Sequence, residues 1–166
     1  MDLKNYKPEW LDIIKTQEEK LRMESMDADG ALRLGLIMVR LAKEKYGKPV
    51  SVRIITKGQS TFEYYMEGTD SCNRWWMDKK LNTSRVYGLS SIRTLVEVGE
   101  GLRAAVPEFE NENNYTLCGG CFPLKNAEGR LFGFAQSSGM THEEDHQLII
   151  DALSEYLGIE VPSVLK

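Results

Sequence analysis

The chain has 166 residues, 42% of them hydrophobic, and a net charge of −4 from 21 basic and 25 acidic side chains. That length and apolar content suit one domain with a single substantial core that needs neither disulfides nor metals to hold it. The interspersed charges leave no basic stripe for a phosphate backbone, which argues against nucleic acid, and no apolar run reaches the length of a bilayer span, which argues against a membrane.

The N-terminus, Met1-Asp2-Leu3-Lys4-Asn5-Tyr6, lacks the apolar core of a secretory leader, and three cysteines, an odd number, suit a reducing compartment. A cytoplasmic protein is the expectation. Pro8 is placed to open a first helix with Trp10, Leu11, Ile14 and Leu21 on one side and Glu18, Glu19 and Lys20 on the other. Within a single domain of residues 1–166, residues 1–24 read as a helical extension and 29–158 as the core. Asp27 or Asp29 caps the next helix, which carries Leu34, Met38, Leu41 and Ala42 along one face and stops at Gly47, with Pro49 beyond. Val50, Val52 and Ile54 alternate, Lys57-Gly58-Gln59-Ser60 supplies a turn, and Phe62, Tyr64 and Met66 alternate again, which predicts a β-hairpin.

A helix is predicted from Asp70 to Tyr87, carrying Trp75, Trp76, Lys79 and Lys80 and ending at Gly88. Ser90 or Ser91 caps a further helix through Leu95 and Val98, and Gly99 to Asn114 reads as an irregular polar loop with a solvated acidic piece from Glu108. Phe122–Lys125 and Leu131–Ser137 bracket Asn126-Ala127-Glu128-Gly129 as a second hairpin. The closing helix buries Leu148, Ile149, Ala152, Leu153, Tyr156 and Leu157 and ends at Gly158. Two hairpins with helices between and around them make an α+β domain, an antiparallel sheet of four or more strands with flanking helices.

Chemistry concentrates between Cys118 and His146. Cys118-x-x-Cys121 has redox spacing, but it precedes a strand and lacks the helix N-terminus that would activate a thiol, so packing is the simpler reading. His142-Glu143-x-x-His146 puts two imidazoles on one helical face, as metal-dependent hydrolases do, yet no third histidine exists. Charged Glu144 and Asp145 give that turn a solvated look, and Thr141 with Glu144 forms a capping box. Metal ligands, if any, would be His142 and His146. Trp75 and Lys79, four apart, share a helix face on which an indole and an ammonium hold an anionic planar ligand; the competing reading packs the indole with the lysine stem along it. Gly133, Ala135, Ser137, Ser138 and Gly139 give the last strand little bulk, so a ligand or another backbone can approach it.

Gly119-Gly120-x-Phe122-Pro123, Ser138-Gly139 and Glu144-Asp145-His146, together with Trp75, Lys79 and Ser90-Ser91 upstream, resemble an uncharacterised protein family. It lies within the heme-degrading-domain superfamily that includes the HbpS and GlcG heme-binding proteins. The resemblance covers roughly Gly30 to Leu157 and implies a profilin-like or PAS-like shape and a closed homo-oligomer. With it, the ligand-binding residues are Trp75, Lys79, Gly119, Gly120, Ser138, Gly139 and His146, and the expected ligand is a small planar acidic metabolite of the heme class, with heme as the candidate cofactor. The alternative is a structural or adaptor homo-oligomer without ligand chemistry, using exposed aromatics at Trp10, Tyr64, Tyr65 and Trp76. A lesser alternative is a metal-dependent or redox enzyme built on His142 and His146 or on Cys118 and Cys121.

Overall fold

A computed structural model describes residues 1–165. Five α-helices, α1 (Trp10–Lys20), α2 (Ala28–Leu41), α3 (Ser71–Tyr87), α4 (Ser91–Gly99) and α5 (His142–Leu157), surround four strands, β1 (Ser51–Thr56), β2 (Gln59–Tyr65), β3 (Cys121–Lys125) and β4 (Leu131–Ser138). The strands form one antiparallel sheet in the order β2-β1-β4-β3, so the two hairpins meet along β1 and β4, with Ser51 opposite Ser138 and Thr56 opposite Gly133.

Strand alternation explains the layers. Val52 and Ile54 of β1, Phe122 and Leu124 of β3 and Ala135 of β4 point to one face, where Ala31, Leu34 and Met38 of α2 and Leu148, Ile149, Ala152 and Leu153 of α5 cover them. Ile55, Cys121 and Phe134 point to the other face and meet Leu81 of α3. Covered on both sides, β1 is buried along its whole length, whereas β2 is an exposed edge strand. Two caps read as expected, the Asp27 carboxylate accepting the Gly30 N–H at 2.7 Å and the Ser90 hydroxyl the Arg93 N–H at 3.3 Å; Asp70, read as the first helical residue, is itself a cap, its carboxylate accepting the Cys72 N–H at 2.8 Å. Gly88 and Gly158 close α3 and α5 at φ of 64° and 68°, in the left-handed region.

Four local expectations change. The first hairpin turns on Lys57 and Gly58 alone, both at positive φ, so Gln59 and Ser60 already belong to β2. The irregular stretch after α4 contains a 3₁₀ turn, Pro107–Glu110, that delivers Phe109 into a cluster with Leu95 and Leu117. On α1, Glu18 is buried, because Arg93 of α4 pairs with it at 2.6 Å and the Ser90 N–H donates to it at 2.8 Å. Trp10 is buried too, packed with Ile14, Ile92, Val96 and Val164, so it offers no exposed aromatic surface; Tyr64 and Tyr65 are exposed and Trp76 is half-buried. Each large side chain so buried contributes about 1.5–3 kcal/mol, enough for Trp10 and Ile14 to hold α1 firmly on α4. Among the described residues no helix is long and apolar enough to cross a membrane.

Candidate functional site

The N-terminal turn of α5 approaches the first half of α3 just beyond the end of β4, because Gly139 bends the chain at φ 149° directly against the Pro49 carbonyl. A cleft of about 520 Å³ opens there, walled by Asn73, Trp76 and Lys80 of α3, by Cys118, by Ser138 and Gly139, and by His142 and Asp145. On the other side of Trp76 lies a pocket of about 240 Å³ that holds Trp75, Lys79, Phe109 and Tyr115. Lys4, from the segment before α1, lines both.

A buried ion pair forms the floor of the cleft. Lys80 Nζ donates to Asp145 Oδ2 at 2.9 Å and to the Ser137 carbonyl at 2.9 Å, and Asp145 Oδ1 accepts the Ser137 hydroxyl at 3.1 Å and the Met140 N–H at 3.3 Å. Burial opposes the Lys80 charge, but the carboxylate beside it outweighs that cost and holds the ammonium above its ordinary range. Gly120 makes room for this pair: a Cβ there would lie 2.5 Å from both Lys80 Nζ and the Ser137 carbonyl.

Lys79 is arranged differently. Its side chain is 5% exposed, its Nζ stands 3.9 Å from the Trp75 ring centroid and 4.1 Å from that of Trp76, and among the described residues no carboxylate or carbonyl accepts from it. Burial lowers its pKa. The indoles oppose that shift, since their faces attract a cation, so the group remains a charged donor facing the pocket.

Both histidines are neutral and tautomerically fixed. Burial lowers the pKa of His142. Its Nδ1 accepts the Gly119 N–H at 3.2 Å, which leaves the ring proton on Nε2, donated to the Asn5 carbonyl at 2.7 Å. His146 is fully buried, and burial, with His142 nearby, pushes its pKa down to about 3. Its Nε2 meets Gln17 Oε1 at 2.8 Å; the Gln17 amide nitrogen donates to the Pro162 carbonyl, so the oxygen must accept and His146 Nδ1 is left without a partner. The two rings are therefore engaged in different directions, and among the described residues no three His, Cys, Asp or Glu side chains converge on a metal position. The cysteines diverge as well. Cys118 lines the cleft, with its sulfur 3.5 Å from the Thr116 hydroxyl, while Cys121 belongs to the cluster under α3, where burial pushes its thiol up to about 12. Such a thiol is a poor nucleophile at neutral pH.

The expected site is thus split. Ser138 and Gly139 line the cleft, Trp75 and Lys79 line the neighbouring pocket, and Gly119 and Gly120 are backbone supports behind His142 and Lys80. His146, expected near the surface, lies behind the cleft in the core, and Asp145, expected in a solvated turn, is 2% exposed. The residues that sequence reasoning missed are Lys80 and Asp145 as a pair, Asn73, and His142 as a cleft residue. No periodicity links a lysine to an aspartate 65 positions away. Asp145 stands beside Glu143 and Glu144 in the first turn of α5, where acidic residues are ordinary, so no local signal marked it.

Residues 26–154 match the family model described as haem degrading protein HbpS-like. A UPF0303 protein of Streptomyces coelicolor is 31% identical over 150 residues, covering 87% of this chain and 92% of the relative, and one of Psychromonas ingrahamii is 30% identical over 146 residues, covering 85% and 89%. The crystal structure of the Ybr137w protein superposes with a TM-score of 0.76 at 22% identity over 89% of this chain and 87% of that one. The PduOC:heme complex superposes with a TM-score of 0.62 at 22% identity over 80% and 93%, which at this identity shows a shared fold. The chain belongs to the HbpS-like haem-degrading protein family.

Proposed function

We propose that the protein binds a small planar acid in the groove formed by the cleft and the Trp75–Lys79 pocket, with Trp76 as the wall between them. The observation that carries this reading is Lys79. Its ammonium faces the pocket between two indoles, each worth about 2 kcal/mol at most, and among the described residues no protein acceptor completes its hydrogen bonds. An anionic group on a ligand would supply the missing acceptor, and a flat apolar body would suit Trp75, Trp76, Phe109 and Tyr115. Ser138 and Gly139 would meet the other end of the ligand.

Heme is the ligand class that the family description and the PduOC:heme neighbour favour. The walls fit its plane and its acids. Its iron finds no histidine: His146 Nδ1 is in the core, and His142 carries its proton on the nitrogen that faces Asn5. No step through the iron follows from these residues. Fluorescence titration with metal-free protoporphyrin IX tests the reading. Lys79→Met weakens binding about tenfold or more, the loss expected for one charge-assisted hydrogen bond, and Trp75→Ala weakens it less. Equal affinity in Lys79→Met and the parent protein would rule the groove out.

A further inference from the structure

The segment before α1 lies across the groove. Lys4 lines the cleft, the Trp75–Lys79 pocket and a third cavity of about 470 Å³ beside Trp10 and Glu143, so this segment stands where the three spaces meet. Its two ends are anchored, Met1 by its ammonium on Glu110 at 2.7 Å and Tyr6 by packing on the Trp10 and Leu95 clusters and by its hydroxyl on Glu100 at 3.0 Å, while between them it touches the fold through the Leu3–Leu117 bridge, Lys4 Nζ 5.7 Å from the Trp76 ring and the Asn5 carbonyl on His142. Residues 4–7 follow no helix or strand. They form a strap pinned at Tyr6 and lightly held at Lys4 and Asn5, over the one cleft histidine that has a proton to give.

Resting on the reading above, we infer that His142 is the residue that recognises an oxygen of the ligand, and that this oxygen replaces the Asn5 carbonyl and frees the strap at Asn5, between its anchors at Met1 and Tyr6. The exchange needs no proton transfer. Gly119 N–H is a donor whatever the state of the ring, so Nδ1 stays an acceptor and Nε2–H stays a donor before and after. Replacing a neutral carbonyl by a carboxylate makes the hydrogen bond charge-assisted and roughly twice as strong, which offsets the loss of the Asn5 contact. The same lock bars His142 from a metal: ligation through Nε2 would move the ring proton to Nδ1 and set it against the Gly119 N–H. The site therefore selects an oxygen acid, with the Nε2 hydrogen bond at one end and the Lys79 ammonium at the other.

The test uses protoporphyrin IX and hemin with the full chain, a variant lacking residues 2–5, and His142→Phe, which keeps a ring of similar shape beside Trp10. Deleting the strap should tighten protoporphyrin binding about tenfold, the equivalent of one net hydrogen bond, and His142→Phe should weaken it by a similar factor with or without the strap. Hydrogen exchange at the amides of residues 3–7 should accelerate when the parent protein is saturated. The Soret maximum of bound hemin should be the same in His142→Phe as in the parent. Tight binding that ignores both the strap and His142, with unchanged exchange at residues 3–7, would overturn the inference and leave the groove reading intact. A Soret shift in His142→Phe would overturn the donor role in favour of iron ligation. Failure of either porphyrin to bind any of the proteins would defeat the groove reading and this inference together.

Discussion

His146 shows how one residue sets a pH limit on the fold. It is neutral in the core, with a pKa of about 3 against 6.5 for an ordinary imidazole. The unfolded chain takes up its proton below pH 6.5 while the folded chain refuses it, so the stabilisation is complete above that pH and is lost as pH falls toward 3. The slope is about 1.4 kcal/mol per pH unit for one such group. His142, lowered by burial, acts in the same direction. His146→Leu should therefore flatten the fall in denaturant-measured stability between pH 6 and pH 4 by about that slope. The unpaired Gln17 oxygen it leaves behind costs about 1–3 kcal/mol at every pH and does not alter the slope. An unchanged slope would show that His146 does not resist protonation.

At the scale of elements, the junction between the strand-entry loop and α5 depends on close backbone approach. A Cβ on Gly119 would lie 2.3 Å from the His142 carbonyl oxygen and 3.1 Å from His146 Cβ, and neither neighbour is the loose end of a flexible chain. Ala at this position must push the first turn of α5 away from β3, and Gly119→Ala should destabilise the protein by about 1–3 kcal/mol, the usual range for overpacking. Chemical denaturation measures it, and a change below about 0.5 kcal/mol, ordinary for surface positions, would mean that the junction yields freely. Small residues in β4 serve a related purpose. Gly133 faces the Ile55 carbonyl at 2.3 Å from where its Cβ would be, so part of the low bulk of this strand accommodates β1 and not a ligand.

For the molecule as a whole, the Lys80–Asp145 pair ties the two helical layers together through the end of the sheet. Lys80 is 3% and Asp145 2% exposed, so each charge depends on the other. Lys80→Met strands a buried carboxylate and should cost about 3–5 kcal/mol, whereas Lys80→Met combined with Asp145→Leu removes both charges and should recover part of that loss. Stability measurements on the two single variants and the double variant decide it. A double variant as unstable as the sum of the singles would show that the pair is not coupled.

Local pattern was enough for the main helices and strands. Periodicity placed α2, α3, α4, α5 and both hairpins; Asp27, Asp70 and Ser90 marked where helices start, and Gly88 and Gly158 where two of them stop, because caps and alternation depend on neighbours within a few positions. Motif order was enough for the family. The sequence also put Trp75 and Lys79 on one face, since a helix brings residues four apart together. Only the tertiary structure decided which histidine meets the cleft, which aspartate is buried, and that two neighbouring lysines have unlike surroundings, one paired with a carboxylate and the other held between indoles. Those outcomes depend on which elements pack beside a side chain and how much water they exclude, and contacts across 65 to 137 positions leave no local trace in the order of the residues.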